Sequence, residues 1–200
     1  MHRAFILFLI IFGCKNSSQK QVKKEFKPTT IVSKDTFKIN ENYIAKSFDF
    51  PVGKPNGKGY YNAQKFQENY HLGDDWNSVK GGNSDLGDPI YAIANGYVSQ
   101  TKNYKGGWGN VIRIVHYLSN KKTVESLYAH CDTILVKNKV WVKKGEKIGT
   151  IGNVNGLYYA HLHLEIRDKV DLPLGAGYSK EFDGYLDPTK FIKEHRTLKN

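Results

Sequence analysis

Seven histidines, at positions 2, 71, 116, 130, 161, 163 and 195, are the residues of this 200-residue chain best suited to chemistry. A neutral imidazole binds metal or moves a proton near neutral pH. Two of them form His161-Leu162-His163. On an extended strand alternate residues share a face, so Ala160, Leu162, Leu164 and Ile166 are expected to build core, while His161, His163, Glu165 and Arg167 face the other way. Two strand rises set the imidazoles roughly 6.5–7 Å apart. That spacing suits one metal ligand beside an acid–base group better than two ligands on one ion, although leaning side chains permit either. His71-Leu72-Gly73-Asp74-Asp75 adds an imidazole and carboxylates, nitrogen and oxygen donors that a borderline metal such as zinc accepts. Tyr128-Ala129-His130-Cys131 adds another histidine, and alternation places Val124, Ser126, Tyr128 and His130 on one face. The HExxH helix of many zinc proteases is absent. Taken singly, each fragment is more often structural or accidental than metal-binding.

Other residues near these motifs carry two readings each. Glu165 shares the histidine face and either holds one imidazole from behind or serves strand pairing. Tyr91, Trp108, Tyr158 and Tyr159 either line a groove for an extended peptide or fill core. His116 alternates with Ile112 and Ile114 and reads as a packed histidine, whereas His195 falls in a tail and His2 in a leader. Cys131 reads as a buried neighbour of the site rather than a ligand.

The elements that must position these residues read as short strands. From Phe48 onward, apolar or aromatic runs alternate with glycine turns. Pro89-Ile90-Tyr91-Ala92-Ile93, Asn95-Gly96 and Tyr97-Val98 together read as a hairpin. Gly106-Gly107-Trp108-Gly109-Asn110 turns the chain into a run from Val111 to Tyr117. Strands are also expected over Thr123 to His130, Val140 to Val142, Lys147 to Ile151 and Ala160 to Arg167, with Lys144-Gly145 turning one pair. One helix is expected at the C-terminus, where Asp187 caps, Pro188 opens the first turn and Phe191-Ile192 docks. The fold class expected is all-β: an antiparallel sandwich-type or barrel-like sheet with a short C-terminal helix.

Composition agrees: 19 glycines, 13 tyrosines and 10 phenylalanines favour strands and turns over a helical bundle. Two cysteines exclude a disulfide-dense scaffold and a four-cysteine metal site. The net charge of +11 invites a nucleic-acid reading. Its distribution argues otherwise, because residues 15–46 hold eight lysines against three acids and Arg3 lies in the leader. That leaves a surplus of about five for the remainder, with no basic recognition motif. Residues 14–46 have the composition of a tether, read either as a solvated spacer or as a segment drawn to anionic headgroups and wall polymers. The apolar run Ala4 to Gly13 is shorter than the ~20 residues a spanning helix needs and reads as a signal peptide over 1–13. Its end, Ile11-Phe12-Gly13-Cys14, resembles the lipobox of bacterial lipoproteins, with Phe12 bulkier than usual. The resemblance implies that Cys14 becomes a lipidated N-terminus and that the protein sits in the bacterial cell envelope. A domain over 47–192 and a tail over 193–200 complete the organisation.

In order, His71-x-x-x-Asp75, Gly87-Asp88-Pro89-Ile90-Tyr91-Ala92, Asn95-Gly96-Tyr97-Val98, Gly107-Trp108-Gly109-Asn110, Tyr128-Ala129-His130, Val142-Lys143-Lys144-Gly145-Glu146-Lys147-Ile148-Gly149, Gly152-Asn153 and His161-Leu162-His163-Leu164-Glu165 resemble the M23 (LytM, lysostaphin-like) zinc metallopeptidases. The likeness covers about residues 48 to 190. Cys131 and Leu164 depart from the common leucine and phenylalanine, changing packing and not donors. The resemblance implies that His71, Asp75 and His163 bind one Zn2+, and that His130 and His161 are catalytic. Which of the two acts on water and which on the oxyanion stays open. An open site of this type polarises a carbonyl and lowers the pKa of water toward about 7. The implied activity is endopeptidase cleavage of peptidoglycan cross-links; the alternative is a non-catalytic wall-binding or amidase-activating module. Partners expected are a peptidoglycan peptide and, through Cys14, a membrane, with no nucleic acid.

Overall fold

The computed structural model describes residues 38–196. The leader 1–13, Cys14, most of the tether and residues 197–200 of the tail lie outside the described residues. The strands are β1 (Tyr60–Gln64), β2 (Asp74–Ser78), β3 (Pro89–Tyr91), β4 (Gly96–Asn103), β5 (Asn110–Tyr117), β6 (Thr123–Ile134), β7 (Trp141–Val142), β8 (Lys147–Ile151), β9 (Leu162–Arg167) and β10 (Tyr185–Leu186). One helix, α1 (Pro188–Glu194), follows them. The strands hydrogen-bond in the order β1-β2-β9-β6-β5-β4-β7, β10 flanks β9, and β8 joins β6 to β3. Neighbours are antiparallel throughout. The architecture is thus an antiparallel β-sheet domain with one short C-terminal helix, as the strand pattern predicts.

β9 explains why the sheet has two faces of different character. Leu162, Leu164 and Ile166 are fully buried in the main apolar cluster, with Ala160 just ahead of them. The intervening His163, Glu165 and Arg167 are equally inaccessible but polar, so the sheet carries core on one side and chemistry on the other. Asp187 caps α1 by accepting from Lys190 N–H at 2.9 Å, and Phe191 and Ile192 dock on the core, as expected.

The hairpin expected at Asn95-Gly96 does not form. β3 pairs with β8, while β4 pairs with β5 and β7. Gly96 is needed here for close approach: a Cβ would lie 2.6 Å from Ile114 Cγ2 and 2.8 Å from the Val115 carbonyl. Lys144-Gly145 likewise lies in a turn, but the strands it joins, β7 and β8, pair elsewhere. The packed chain also reaches beyond the 47–192 span. Ala45 N–H donates to the Tyr117 carbonyl (2.8 Å), and Tyr43 packs on Trp141 with ring centroids 5.4 Å apart. His195 stacks on Phe191 at 4.0 Å, and Arg196 pairs with Asp49 at 3.1 Å.

A polar thread crosses the core where His116 was expected to pack. His116 is fully buried; its Nδ1 lies 2.9 Å from the Asn95 carbonyl and its Nε2 2.7 Å from Ser126 Oγ. The thread continues from the Ser126 hydroxyl to that of Tyr128, which accepts from Ile93 N–H. Because a carbonyl only accepts, Nδ1 carries a proton. Burial lowers its pKa to about 4, against the opposing pull of the Asn95 carbonyl. The unfolded chain therefore takes up a proton below about pH 6.5 that the folded chain refuses until about pH 4. Stability is complete above that window and falls by up to about 1.4 kcal/mol per unit as pH drops through it. Urea titrations of wild type and His116→Gln between pH 7 and 4 should show a shallower loss in the variant; equal slopes would rule out this origin.

Candidate metal centre

Sheet register builds the site. Asp75 of β2 stands directly opposite His163 of β9, so both side chains project from the same face. His71 reaches them from the turn before β2, held by Leu72 N–H on the Gly177 carbonyl (3.0 Å). Gly73 lets this turn lie against β9: a Cβ there would sit 2.4 Å from the Leu164 carbonyl and 2.9 Å from His163 Cε1. The two adjacent carboxylates divide their work. Asp74 is fully buried and structural, accepting from Phe66 N–H (3.0 Å), Thr189 N–H (2.9 Å) and Thr189 Oγ1 (2.6 Å) at the start of α1. Asp75 alone turns to the histidines.

Three donor atoms converge. His163 Nδ1 lies 2.9 Å from Asp75 Oδ1 and 3.0 Å from His71 Nε2, and His71 Nε2 lies 3.4 Å from Asp75 Oδ1. A tetrahedral ion with bonds of roughly 2.0–2.1 Å separates its donors by about 3.3 Å, so the triangle fits one zinc-sized cation. The other His163 nitrogen, Nε2, is 3.1 Å from Glu165 Oε1, which only accepts, so the proton belongs there and Nδ1 is free to face the cluster. His71 Nδ1 is buried with no hydrogen-bond partner. Without an ion the cluster holds its charge on a proton. Burial opposes a charged His163, but Asp75 and Glu165 outweigh it and raise the ring to about 9. Burial likewise opposes a charged Asp75, yet His163 and His71 hold its carboxyl well below the usual carboxylate range.

His130 and His161 complete the group from the other side. His161 forms an isolated bridge with Gly152 just before β9, and its Nδ1 lies 2.8 Å from the Tyr159 carbonyl. That bond places a proton on Nδ1 and turns Nε2 toward Asp75 Oδ2, 3.9 Å away. His130 departs from simple alternation. Tyr128 and Ser126 point into the core, and an unbroken strand would send His130 after them. Instead β6 changes partner there, pairing with β9 through Ala129 and with β8 from Cys131. His130 itself takes φ of 59°, in the left-handed region. The irregularity turns its ring onto the site face, 4.7 Å from His161 and 5.6 Å from His163 between centroids. Burial, then His163 and His161, lower its pKa to about 3, so the ring is neutral.

All five residues line a half-open cleft of about 490 Å³, walled by Trp108, Tyr158 and Tyr178. Trp108 and Tyr158 thus take the groove reading, and Tyr159 lies exposed beside the adjoining hollow. Tyr91 lies elsewhere, under the Lys54 ammonium at 3.7 Å. Cys131 is buried and free; burial pushes its thiol up to about 12, as for a packing residue. Glu165 adopts the supporting position. Sequence reasoning passed over Tyr178, whose ring centroid is 5.1 Å from that of His71 and whose hydroxyl donates to Gln64 at 2.9 Å. Nothing in its local sequence marks it, because the contact arises between segments far apart in the chain.

An antiparallel β domain with a convergent His-Asp-His donor set in a cleft defines a class of potential metal-binding proteins. Within it, the sequence model described as Peptidase family M23 matches residues 71–173, and the chain belongs to that family. Lipoprotein NlpD of Yersinia enterocolitica is 45% identical over 86 residues, covering 42% of this chain and 80% of that protein. Murein hydrolase activator NlpD of Escherichia coli is 43% identical over 86 residues, 42% of this chain and 21% of that one. Peptidoglycan DD-endopeptidase ShyA of Vibrio cholerae is 35% identical over 121 residues, 56% of this chain and 26% of that one. The chain therefore spans only about a quarter of the latter two. Among solved structures, a zinc containing peptidase from Vibrio cholerae matches with TM-score 0.51 at 28% identity, over 64% of this chain and 41% of that one.

The close approach of this turn to β9 makes Gly73 a sensitive position. Gly73→Ala should push β2 from β9, cost about 1–3 kcal/mol by overpacking and weaken zinc binding. Thermal melts with and without zinc check this; an unaltered melt and affinity would contradict the close approach.

Proposed function

We propose that the domain is a zinc metalloendopeptidase that hydrolyses peptide cross-links of bacterial peptidoglycan. The observation that carries the proposal is the triangle of His71 Nε2, Asp75 Oδ1 and His163 Nδ1 at the floor of a cleft shared with His130 and His161. When bound, zinc supplies Lewis acidity, lowering the pKa of water and polarising the scissile carbonyl. His71, Asp75 and His163 hold the ion. His161, with Nδ1 committed to the Tyr159 carbonyl, presents Nε2 as the acceptor that takes a proton from the attacking water. His130, kept neutral by burial, donates an N–H to the carbonyl oxygen as negative charge develops. Trp108, Tyr158 and Tyr178 offer apolar walls against which an extended peptide aligns. A signal peptide over 1–13, lipid on Cys14 and the tether that follows it would hold the packed domain at an envelope membrane. The name lipoprotein carried by a relative supports that location.

A second reading has specific support, because relatives carry the name murein hydrolase activator. A chain of that type would bind wall or a hydrolase without cutting. The presence of all five imidazole and carboxylate groups in one cleft favours the enzyme.

Purified sacculi distinguish the two. Wild type should release peptide-cleaved fragments, a strong chelator should abolish release, zinc should restore it, and His163→Ala should stay inactive with or without zinc. Undiminished release from metal-free protein would overturn the mechanism. Tight zinc binding without release, together with stimulation of a separate hydrolase, would favour the activator.

A further inference from the structure

Behind His163 the polar face of β9 continues into a row of buried charges that the hydrolytic reading leaves unused. Glu165 Oε1 lies 3.1 Å from His163 Nε2, and Glu165 Oε2 accepts from Arg167 Nε at 2.7 Å. Arg167 stands opposite Glu125 of β6, with Nη1 3.6 Å from Glu125 Oε1. Glu125 Oε1 in turn accepts from Arg113 Nε at 3.0 Å and Nη2 at 2.6 Å. The row alternates in sign across β9, β6 and β5, and its members are 0% (Glu165, Arg167), 1% (Glu125) and 4% (Arg113) exposed.

Stability gives little reason for such a row. Burying an ion costs several kcal/mol even after relaxation, and well-packed apolar residues of equal volume are often as good or better. What the row does supply is immobility. Arg167 is fixed from three directions: by Glu165, by Glu125, and by Nη1 donating to the Leu172 carbonyl at 3.0 Å. Arg113 Nη2 donates to the same carbonyl at 3.0 Å, and Asp171 N–H donates to Glu125 Oε2 at 3.2 Å. A carboxylate held by so rigid a partner keeps one oxygen in a fixed place behind the imidazole.

We infer that Glu165 is a positioning residue, locked by Arg167, that keeps the His163 proton on Nε2 and so presents Nδ1 to Asp75 and His71 as a metal donor. The inference rests on the metal-centre reading. A carboxylate behind a ligating imidazole fixes its tautomer and ring angle and raises its basicity, and losing one typically weakens metal affinity ten- to a hundredfold.

The test measures zinc dissociation constants of the full chain by competition with a chromophoric chelator. Wild type is compared with Glu165→Gln and with Glu165→Gln/Arg167→Met, which also removes the facing charge and so leaves no new unpaired arginine. Each folded variant should bind zinc roughly tenfold or more weakly than wild type. Nitrogen NMR of the zinc-loaded wild type should show the His163 proton on Nε2, an outcome that needs no variant to fold. A folded variant with affinity within about twofold of wild type, or a wild-type proton on Nδ1, would overturn the inference. Failure of wild type itself to bind zinc would instead overturn the metal-centre reading, and this inference with it.

Discussion

Antiparallel pairing of β2 on β9 is the constraint on which the rest of the site depends. It places Asp75 opposite His163, and a one-residue slip would send one of the two to the wrong face. The slip is opposed on both sides of the sheet. Leu162, Leu164 and Ile166 lose their core if β9 turns over, and Asp74 loses its bonds to Phe66 and Thr189 if β2 does. Apolar burial on one face thus fixes polar geometry on the other. Gly73 permits the close contact that brings His71 to the same point.

The second half of the site depends on breaking that regularity. His130 joins the cleft only because β6 exchanges β9 for β8 at this residue and accepts a left-handed backbone. Strain of this kind costs of order 1–3 kcal/mol and persists where the surrounding structure over-determines it. Tyr128 on one side, tied to Ile93, and Cys131 on the other, paired with Ile151, hold the two ends. The result is a cleft with four imidazoles and one carboxylate on facing walls.

Much of this was legible in the sequence because it is local or periodic. The alternation of Ala160 to Arg167 gives the two faces of β9 directly, Asp187-Pro188 marks the helix start, and the i, i+2 placement of His161 and His163 brings both imidazoles within 4 Å of Asp75. The family resemblance supplied the linkage between His71, Asp75 and His163, which no spacing within the chain could. Misreadings share one cause: local signals satisfied by distant partners. Asn95-Gly96 has hairpin chemistry, but Gly96 serves contact with Ile114 and Val115. His130 obeys alternation up to a change of strand partner that lies outside its own sequence neighbourhood. Tyr178 and the arginine–glutamate row likewise become meaningful only once strands and loops remote in sequence are adjacent.

The proposed chemistry stands or falls with one metal ion held jointly by His71, Asp75 and His163. X-ray absorption at the zinc edge of the zinc-loaded chain tests it most directly. The expected result is one zinc per chain, scattering from two imidazoles and a carboxylate oxygen, and no sulfur despite the nearby Cys131, with Asp75→Asn altering the spectrum. A sulfur shell, a single imidazole, or a spectrum unchanged by Asp75→Asn would contradict it.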